Sequence, residues 1–201
     1  MLGLPKSTEL LKQLPKKVIY EKFNMNTAAK EKFDADIKKI TIVNEISENT
    51  AAIAKGETIT AFYVLLISLK RKDFDVKTIE QISKIINQNI LFILEYNSDA
   101  KLAIYHTKLM QAEWKLINKL NVQLKGLNLD TVWENIVVQV GDVHVEQGKS
   151  LEEQIELNEI RQKLQKQIVS LEKQARAEKQ PKRKFNLAQQ IKNLQKELEE
   201  I

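Results

Sequence analysis

Hydrophobic residues recur with two different periods along the chain, and the change of period divides it into two regions. Up to about residue 141, short apolar runs and alternating patterns are separated by segments with helical spacing, as in a sheet with helices. Beyond residue 150 only the helical spacing remains. The patterns therefore predict an α+β domain over residues 1–141, a linker over 142–149 and a helical domain over 150–201.

The first region predicts a sheet with helices packed on it. A long strand is expected at 58–70, where β-branched and aromatic residues predominate. Residues 97–100 are of the types that form the turn of a β-hairpin. The other predicted elements are a helix at 7–14, an extended segment at 17–20, a helix capped by Asn26 or Thr27, strands from Ile40 and at 49–54, a helix capped by Asp75, strands at 90–96, 101–107 and 120–124, and a helix capped by Asp130. This order predicts a mixed or antiparallel sheet.

The second region has a coiled-coil pattern. Ser150 and Glu153 form a capping box, which predicts the start of a long helix. Apolar residues then follow mostly at steps of three and four: Leu157, Ile160, Leu164, Ile168, Leu171, Ala175, and, after Pro181, Leu187, Ile191, Leu194, Leu198 and Ile201. Because proline suits the first turn of a helix but not its interior, Pro181 predicts a bend. The preferred interpretation is an antiparallel coiled-coil helical hairpin that bends near Gln180, and the alternative is one kinked helix that dimerises.

The composition excludes several classes of protein. The chain has no cysteine, which excludes disulfide-stapled folds and thiolate zinc sites. No apolar run approaches the roughly 18–20 residues that cross a bilayer, and the N-terminus lacks the apolar core of a signal peptide. A cytoplasmic location without a membrane partner is therefore expected.

Positive charge is concentrated at the predicted bend. Six cations and one anion, Glu178, lie between residues 173 and 184, within a chain whose net charge is +5. The cations and the aromatic residue beside them are Lys173, Arg176, Lys179, Lys182, Arg183, Lys184 and Phe185. Such a cluster favours nucleic acid as a partner, since cations contact phosphates and an aromatic ring can stack on a base. An acidic protein surface, or a bend that is merely solvated, would explain the same charges.

The sequence contains no complete catalytic constellation, and no cofactor or metal is predicted. The glycine-rich motifs that bind nucleotides are absent. Two histidines, His106 and His144, cannot supply a histidine-based zinc site at this spacing, and a structural role is expected for His106. Trp114 and Trp133 are interpreted as packing residues.

One arrangement suggests an enzymatic alternative. The predicted order of helix, three strands, helix and strand matches the core of restriction-type nucleases, which hold Mg²⁺ with an acid on one strand and a Glu-x-Lys on the next. Ser68 and Lys70 occupy the Glu and Lys positions here. The first acid would be Glu45 or Glu57, with Glu80 as a substitute from the following helix. Because serine is a poor Mg²⁺ ligand, an inactive relative of this fold is favoured over an active nuclease.

Five segments of the chain carry a family resemblance: residues 4–9, 14–17, 93–96, 126–130 and 173–187. Together they resemble the prokaryotic family called domain of unknown function 4391, over nearly the whole chain. The resemblance implies a DNA-related accessory role, with DNA favoured over RNA as the partner, because members of the family are typically encoded beside helicases and DNA methyltransferases in restriction-like or phage-defence clusters. It implies no active-site residues.

Three hypotheses follow from the sequence. The first is a non-catalytic component of a DNA-processing or phage-defence assembly, in which the sheet domain docks a helicase or methyltransferase and the basic bend contacts nucleic acid. The second is a degenerate or active Mg²⁺-dependent nuclease of the restriction type. The third is a protein-binding adaptor that uses the coiled coil.

Overall fold

The chain folds as two units, Met1–Asp142 and Val143–Ile201, in the computed structural model. The structure describes residues 2–106, 108–141 and 151–200. The predicted linker over 142–149, His144 and the first residue of the predicted capping box lie outside these residues. Among the described residues, no helix has both the length and the apolar character that crossing a membrane requires.

The first unit contains both strands and helices, and the second contains two long helices. The strands are β1 (Glu9–Gln13), β2 (Ile37–Ser47), β3 (Ala61–Leu69), β4 (Asn89–Tyr96), β5 (Asp99–Tyr105), β6 (Leu109–Gln111) and β7 (Lys115–Leu116). The helices are α1 (Lys16–Lys22), α2 (Thr27–Asp36), α3 (Glu48–Ala51), α4 (Val76–Ser83), α5 (Leu129–Gly141), α6 (Leu151–Ala177) and α7 (Pro181–Glu199), with 3-10 turns at Lys6–Thr8 and Ile117–Lys119. The predicted α+β class is confirmed.

The sheet is mixed, as predicted. Its strands lie side by side in chain order from β1 to β6, and β7 pairs with β5. β3 and β4 are parallel, and the other neighbouring pairs are antiparallel. Helix α4 makes the crossover that a parallel pair requires, because two parallel strands cannot be joined by a tight turn.

Both faces of the sheet are covered by helices. On one face, Ile67 of β3 and Phe92 of β4 share a buried core with Ile79 of α4. On the opposite face, Phe62 packs against Trp133 of α5 with a distance of 5.1 Å between ring centroids. Central strands that are covered on both sides carry near-continuous apolar runs, which explains the sequence of β3 and β4. The packing role predicted for Trp133 is confirmed.

The N-terminal predictions at 7–14 and 17–20 were wrong. Residues 9–13 form β1, an antiparallel edge strand on β2, rather than a helix. The predicted extended segment lies in helix α1, which begins directly after Pro15. Leu10 and Leu11 of β1 are exposed at 43% and 68%. Pairing with a distant strand therefore decided the structure here, not local spacing.

Two further predicted strands were also wrong. In place of the strand predicted at 49–54, residues 48–51 form α3, and Ser47 and Thr50 bond to each other there as a capping box. Ala54 makes an isolated bridge to Asn128. Residues 120–124 pair with no strand among the described residues, although the N–H of Val122 donates to the carbonyl of Leu2. Short polar side chains that bond their own backbone compete with strand pairing, which accounts for α3.

The cap predicted for α5 was assigned to the wrong residue. The side chain of Asn128, and not that of Asp130, accepts the N–H of Thr131 at 3.0 Å. The predicted caps of α2 and α4 are confirmed, since Asn26 accepts from Ala29 N and Asp75 accepts from Lys77 N.

The second unit is a helical hairpin. Helices α6 and α7 pack against each other, and the connection of three residues between them makes the pair antiparallel, which confirms the predicted hairpin. Among the seam positions, Leu164 and Ile168 are buried, whereas Leu157, Leu171, Ala175, Leu187, Ile191, Leu194 and Leu198 are half-buried. Ile160 departs from the pattern because its side chain is 43% exposed.

Candidate nucleic-acid interface

The turn of the hairpin is built by local hydrogen bonds and one proline. Helix α6 ends at Ala177, and the carboxylate of Glu178 accepts the N–H of Gln180 at 2.9 Å. Pro181 is the first residue of α7, where its missing N–H costs no helical hydrogen bond. The N–H of Lys184 then bonds the carbonyl of Gln180 at 3.0 Å. The sequence therefore stops one helix and starts the next within three residues.

All seven residues predicted for this interface are exposed at or beside the turn. They are Lys173, Arg176, Lys179, Lys182, Arg183, Lys184 and Phe185. Within the described part of the chain, none of the six cations forms an ion pair or a side-chain hydrogen bond. The hairpin fold therefore leaves their charges available to a partner.

Positive charge predominates at the turn. Between residues 173 and 184 there are six cations and one anion, an excess of five positive charges. The single anion, Glu178, uses its carboxylate on the main chain of the turn. A shallow recess of about 540 Å³ lies beside these cations, lined by Gln174, Ala177, Glu178, Lys179, Gln180 and Leu187. Cations clustered in this way bind polyanions by releasing condensed counterions.

The predicted nuclease positions do not converge. Ser68 of β3 lies opposite Glu95 of β4 and donates its hydroxyl to that carboxylate at 2.9 Å. Glu45 lies opposite Tyr63, seven residues along β3 from Lys70, which is roughly 23 Å at the rise of a strand. Glu57 precedes β3, so it also belongs to the end of the strand away from Lys70.

Other acids lie at the Lys70 end of the sheet, and sequence reasoning missed them. Asp36 is fully buried there and accepts from Arg71 Nε at 2.5 Å and from the N–H of Asp75 at 2.9 Å. Its carbonyl accepts the N–H of Lys70 at 2.7 Å. The sequence alone did not show this proximity. β2 begins directly after Asp36 and runs antiparallel to β3, and this pairing places the residue before β2 beside the residues after β3.

A second carboxylate in this cluster is also occupied. Asp34 accepts from Lys16 Nζ at 2.5 Å and from the Tyr20 hydroxyl at 2.6 Å. Burial alone would raise the pKa of Asp34, but the hydrogen bonds from Lys16 and Tyr20 hold it below its ordinary value. Burial, together with the bond to Asp34, raises the pKa of the Tyr20 phenol. Lys16, Asp34 and Tyr20 are bonded to one another, as in a structural network.

The described residues do not fit a Mg²⁺ ion. No group of three or more Asp, Glu, His or Cys side chains among residues 2–106, 108–141 and 151–200 is arranged to hold a metal. The carboxylate of Asp36 is committed to Arg71, and the position of the nuclease glutamate is Ser68. Oxygen ligands that are already bonded to cations cannot also coordinate Mg²⁺ without breaking those pairs.

Cations and aromatic rings share the surface beside β5. The ammonium of Lys101 lies 4.8 Å from the ring centroid of Trp114 and 5.0 Å from that of Phe74. Lys72 lies 5.2 Å from the same Trp114 ring and pairs with Asp99 at 2.6 Å. Burial lowers the pKa of Lys101. Trp114 is thus half-buried under lysine side chains, which agrees with the packing role predicted for it.

Comparison with known proteins gives one match. No curated protein and no solved structure matches the chain. The profile of one family matches residues 2–198, which is nearly the whole chain and includes both the sheet unit and the hairpin with its basic turn. The chain belongs to the family described as Domain of unknown function (DUF4391).

Proposed function

We propose that this protein is a non-catalytic accessory component of a DNA-processing or phage-defence assembly and that it contacts nucleic acid through the turn of its helical hairpin. One observation supports the proposal above all others. Six exposed cations surround a turn whose only acid, Glu178, is engaged with the main chain. None of the six cations has a partner within the described residues, which leaves them free to meet an anionic partner.

The geometry suits a polyanion. Helix α6 has 27 residues, a length of about 40 Å, and the turn lies at one end of it. The six cations occupy the last turns of α6, the connection and the first turn of α7, so they surround the turn from both helices. DNA and RNA carry closely spaced phosphates that can engage several of these cations at once.

Salt-dependent binding tests the contact with nucleic acid. Affinity for duplex and single-stranded oligonucleotides is measured across a series of salt concentrations, with the intact protein and with Lys182, Arg183 and Lys184 replaced by Ala. If each cation meets one phosphate, the triple variant should lower the slope of log K against log salt by about 2.7 for duplex and about 2.1 for single strands. Binding should weaken for all sequences alike, because phosphates carry no sequence information.

A matched control is available away from the turn and from α7. Lys163 and Lys166 of α6 and Lys125 of the sheet unit are exposed, and their replacement by Ala removes the same net charge. The control should change the affinity far less than the triple variant at the turn. An intact protein that binds no nucleic acid at low salt would refute the proposal. Equal losses in the two triple variants would show that the turn is not the contact.

The assembly is tested separately. Under the proposal, the sheet unit docks a helicase or a DNA methyltransferase, the partners that the family resemblance implies. Full-length protein should therefore retain such a partner in a pull-down when the three cations at the turn are replaced. Loss of the partner in that variant would instead favour a protein-binding adaptor that uses the hairpin.

A further inference from the structure

Helix α7 has two faces of different chemistry. Its half-buried apolar positions are Leu187, Ile191, Leu194 and Leu198. A second set follows the same spacing of three and four residues and is exposed throughout: Lys182, Phe185, Gln189, Lys192 and Lys196. Phe185 precedes Leu187 by two residues, which is more than half a helical turn. The second set therefore forms the outward face of α7, opposite the seam.

Phe185 has no packing role on that face. Its side chain is 67% exposed. Within the described part of the chain, its ring contacts no other aromatic ring and no cation. The rings of Phe74 and Trp114 in the sheet unit, by contrast, are covered by Lys101. Phe185 thus offers an open aromatic face to solvent between two lysine positions of the same helix.

The charges of the outward face are positive and available. Helix α7 contains no acid from Pro181 to Lys196. Lys182 and Lys192 form no ion pair within the described residues, and Lys196 pairs with Glu200 at 3.7 Å, with both side chains largely exposed. Exposed pairs of this kind contribute little to stability, so a phosphate can replace the glutamate at low cost. The face from Lys182 to Lys196 is about 21 Å long.

We propose that the outward face of α7 binds single-stranded nucleic acid, with Phe185 stacked on an unpaired base and the lysines of the face on the flanking phosphates. The inference rests on the proposed function and adds the class of substrate. In a duplex, both faces of each base are covered by neighbouring bases, so phosphate contacts alone would leave the aromatic ring without a role. Unpaired bases expose their faces, and aromatic stacking with lysines along the backbone is the usual way to bind them.

The test compares four probes and three proteins. The probes are a single-stranded DNA, the single-stranded RNA of the same sequence, the duplex of that DNA, and the single-stranded DNA with its bases removed at consecutive positions. The proteins are the intact chain, Phe185→Ala and Phe185→Trp. Fluorescence anisotropy gives the affinities, and far-UV circular dichroism checks that the variants keep their helices, as expected for an exposed position.

Phe185→Ala should weaken binding to the single strands by roughly 5- to 140-fold, the factor that corresponds to one lost base stack. Its affinity for the duplex and for the abasic strand should stay close to that of the intact chain, because no stack is lost there. The salt dependence should not change, since no charge is removed. Phe185→Trp should bind the single strands about as tightly as the intact chain, because tryptophan can also stack on a base. Comparison of the DNA and RNA arms shows which single strand the face prefers.

Three outcomes would overturn the inference. Equal losses on single strand and duplex would show that Phe185 acts on the structure of the turn. Binding that ignores Phe185 but disappears when the cations at the turn are replaced would refute the stacking role while leaving the proposed function intact. An intact chain that binds none of the four probes would refute both.

Discussion

Replacing Leu164 by alanine tests whether the hairpin is held by the seam that the structure shows. The sequence pattern gives Leu164 and Ile160 the same role, but Leu164 is 6% exposed and Ile160 is 43% exposed. Truncation of Leu164 removes three buried carbon groups, worth about 2.4 kcal/mol in transfer free energy. The cavity left behind raises the total to about 2.7–5 kcal/mol. Ile160→Ala should cost less, because the side chain is already partly in contact with water and loses less buried area. Alanine also favours the helix by about 0.4 kcal/mol, so the free energy of unfolding should fall by only about 1 kcal/mol.

Urea titration of the full-length protein measures the difference. Far-UV circular dichroism follows the helices, and fluorescence follows Trp114 and Trp133, both of which belong to the sheet unit. The midpoint of the helical transition should fall markedly for Leu164→Ala and only slightly for Ile160→Ala. Equal costs for the two variants would refute the reasoning, because the free energy would then follow the spacing of the pattern and not the burial.

Three further predictions concern the sheet unit. Asp36→Ala should destabilise it by about 1–3 kcal/mol in thermal unfolding, since the N–H of Asp75 loses its acceptor and the half-exposed Arg71 loses its partner; a cost below about 0.5 kcal/mol would contradict this. Asp130 has a lowered pKa, because bonds from Thr58 and the main chain outweigh the effect of burial. The ionised Asp130 therefore stabilises the folded protein fully at a pH above the ordinary pKa of the carboxyl, and this stabilisation is lost as the pH falls through the lower pKa of the folded protein. The difference in stability between the intact protein and Asp130→Asn should accordingly disappear in acid. A gap that is independent of pH would refute the assignment. Mg²⁺ should induce no cleavage of DNA, and cleavage that disappears in Lys70→Ala would restore the nuclease hypothesis.

Strands in the middle of the sheet were predictable because their signal is local. β3 and β4 are covered on both faces, so their sequences are apolar almost throughout. The edge strand β1 has no such signal, since all five of its residues are exposed. Its structure comes from pairing with β2, about 30 residues away in the sequence, and a window of local spacing cannot report that contact.

The two charged regions differed in how far the sequence revealed them. The cations at the hairpin turn are neighbours in the chain, so counting was enough to find them. The cluster at the end of β3 joins Asp36 to Arg71 across 35 positions, and Lys16 to Asp34 across 18. Only the register of β2 on β3 and the placement of α1 and α2 bring these partners together. Pairwise neutralisation of this kind leaves no trace in composition.

That difference decides which cations can bind a polyanion. At the end of β3, Arg71 and Lys72 are each paired with a carboxylate, so a phosphate would have to displace an existing partner, and fewer bound counterions would be released. At the turn of the hairpin, the fold supplies no such competitor within the described residues, and the full excess of positive charge faces solvent. Counterion release grows with the number of cations that meet phosphates without first losing a partner. The same count of lysine and arginine residues is therefore worth more on the hairpin than on the sheet, and the salt dependence of binding should follow the cations of the hairpin and not those of the sheet.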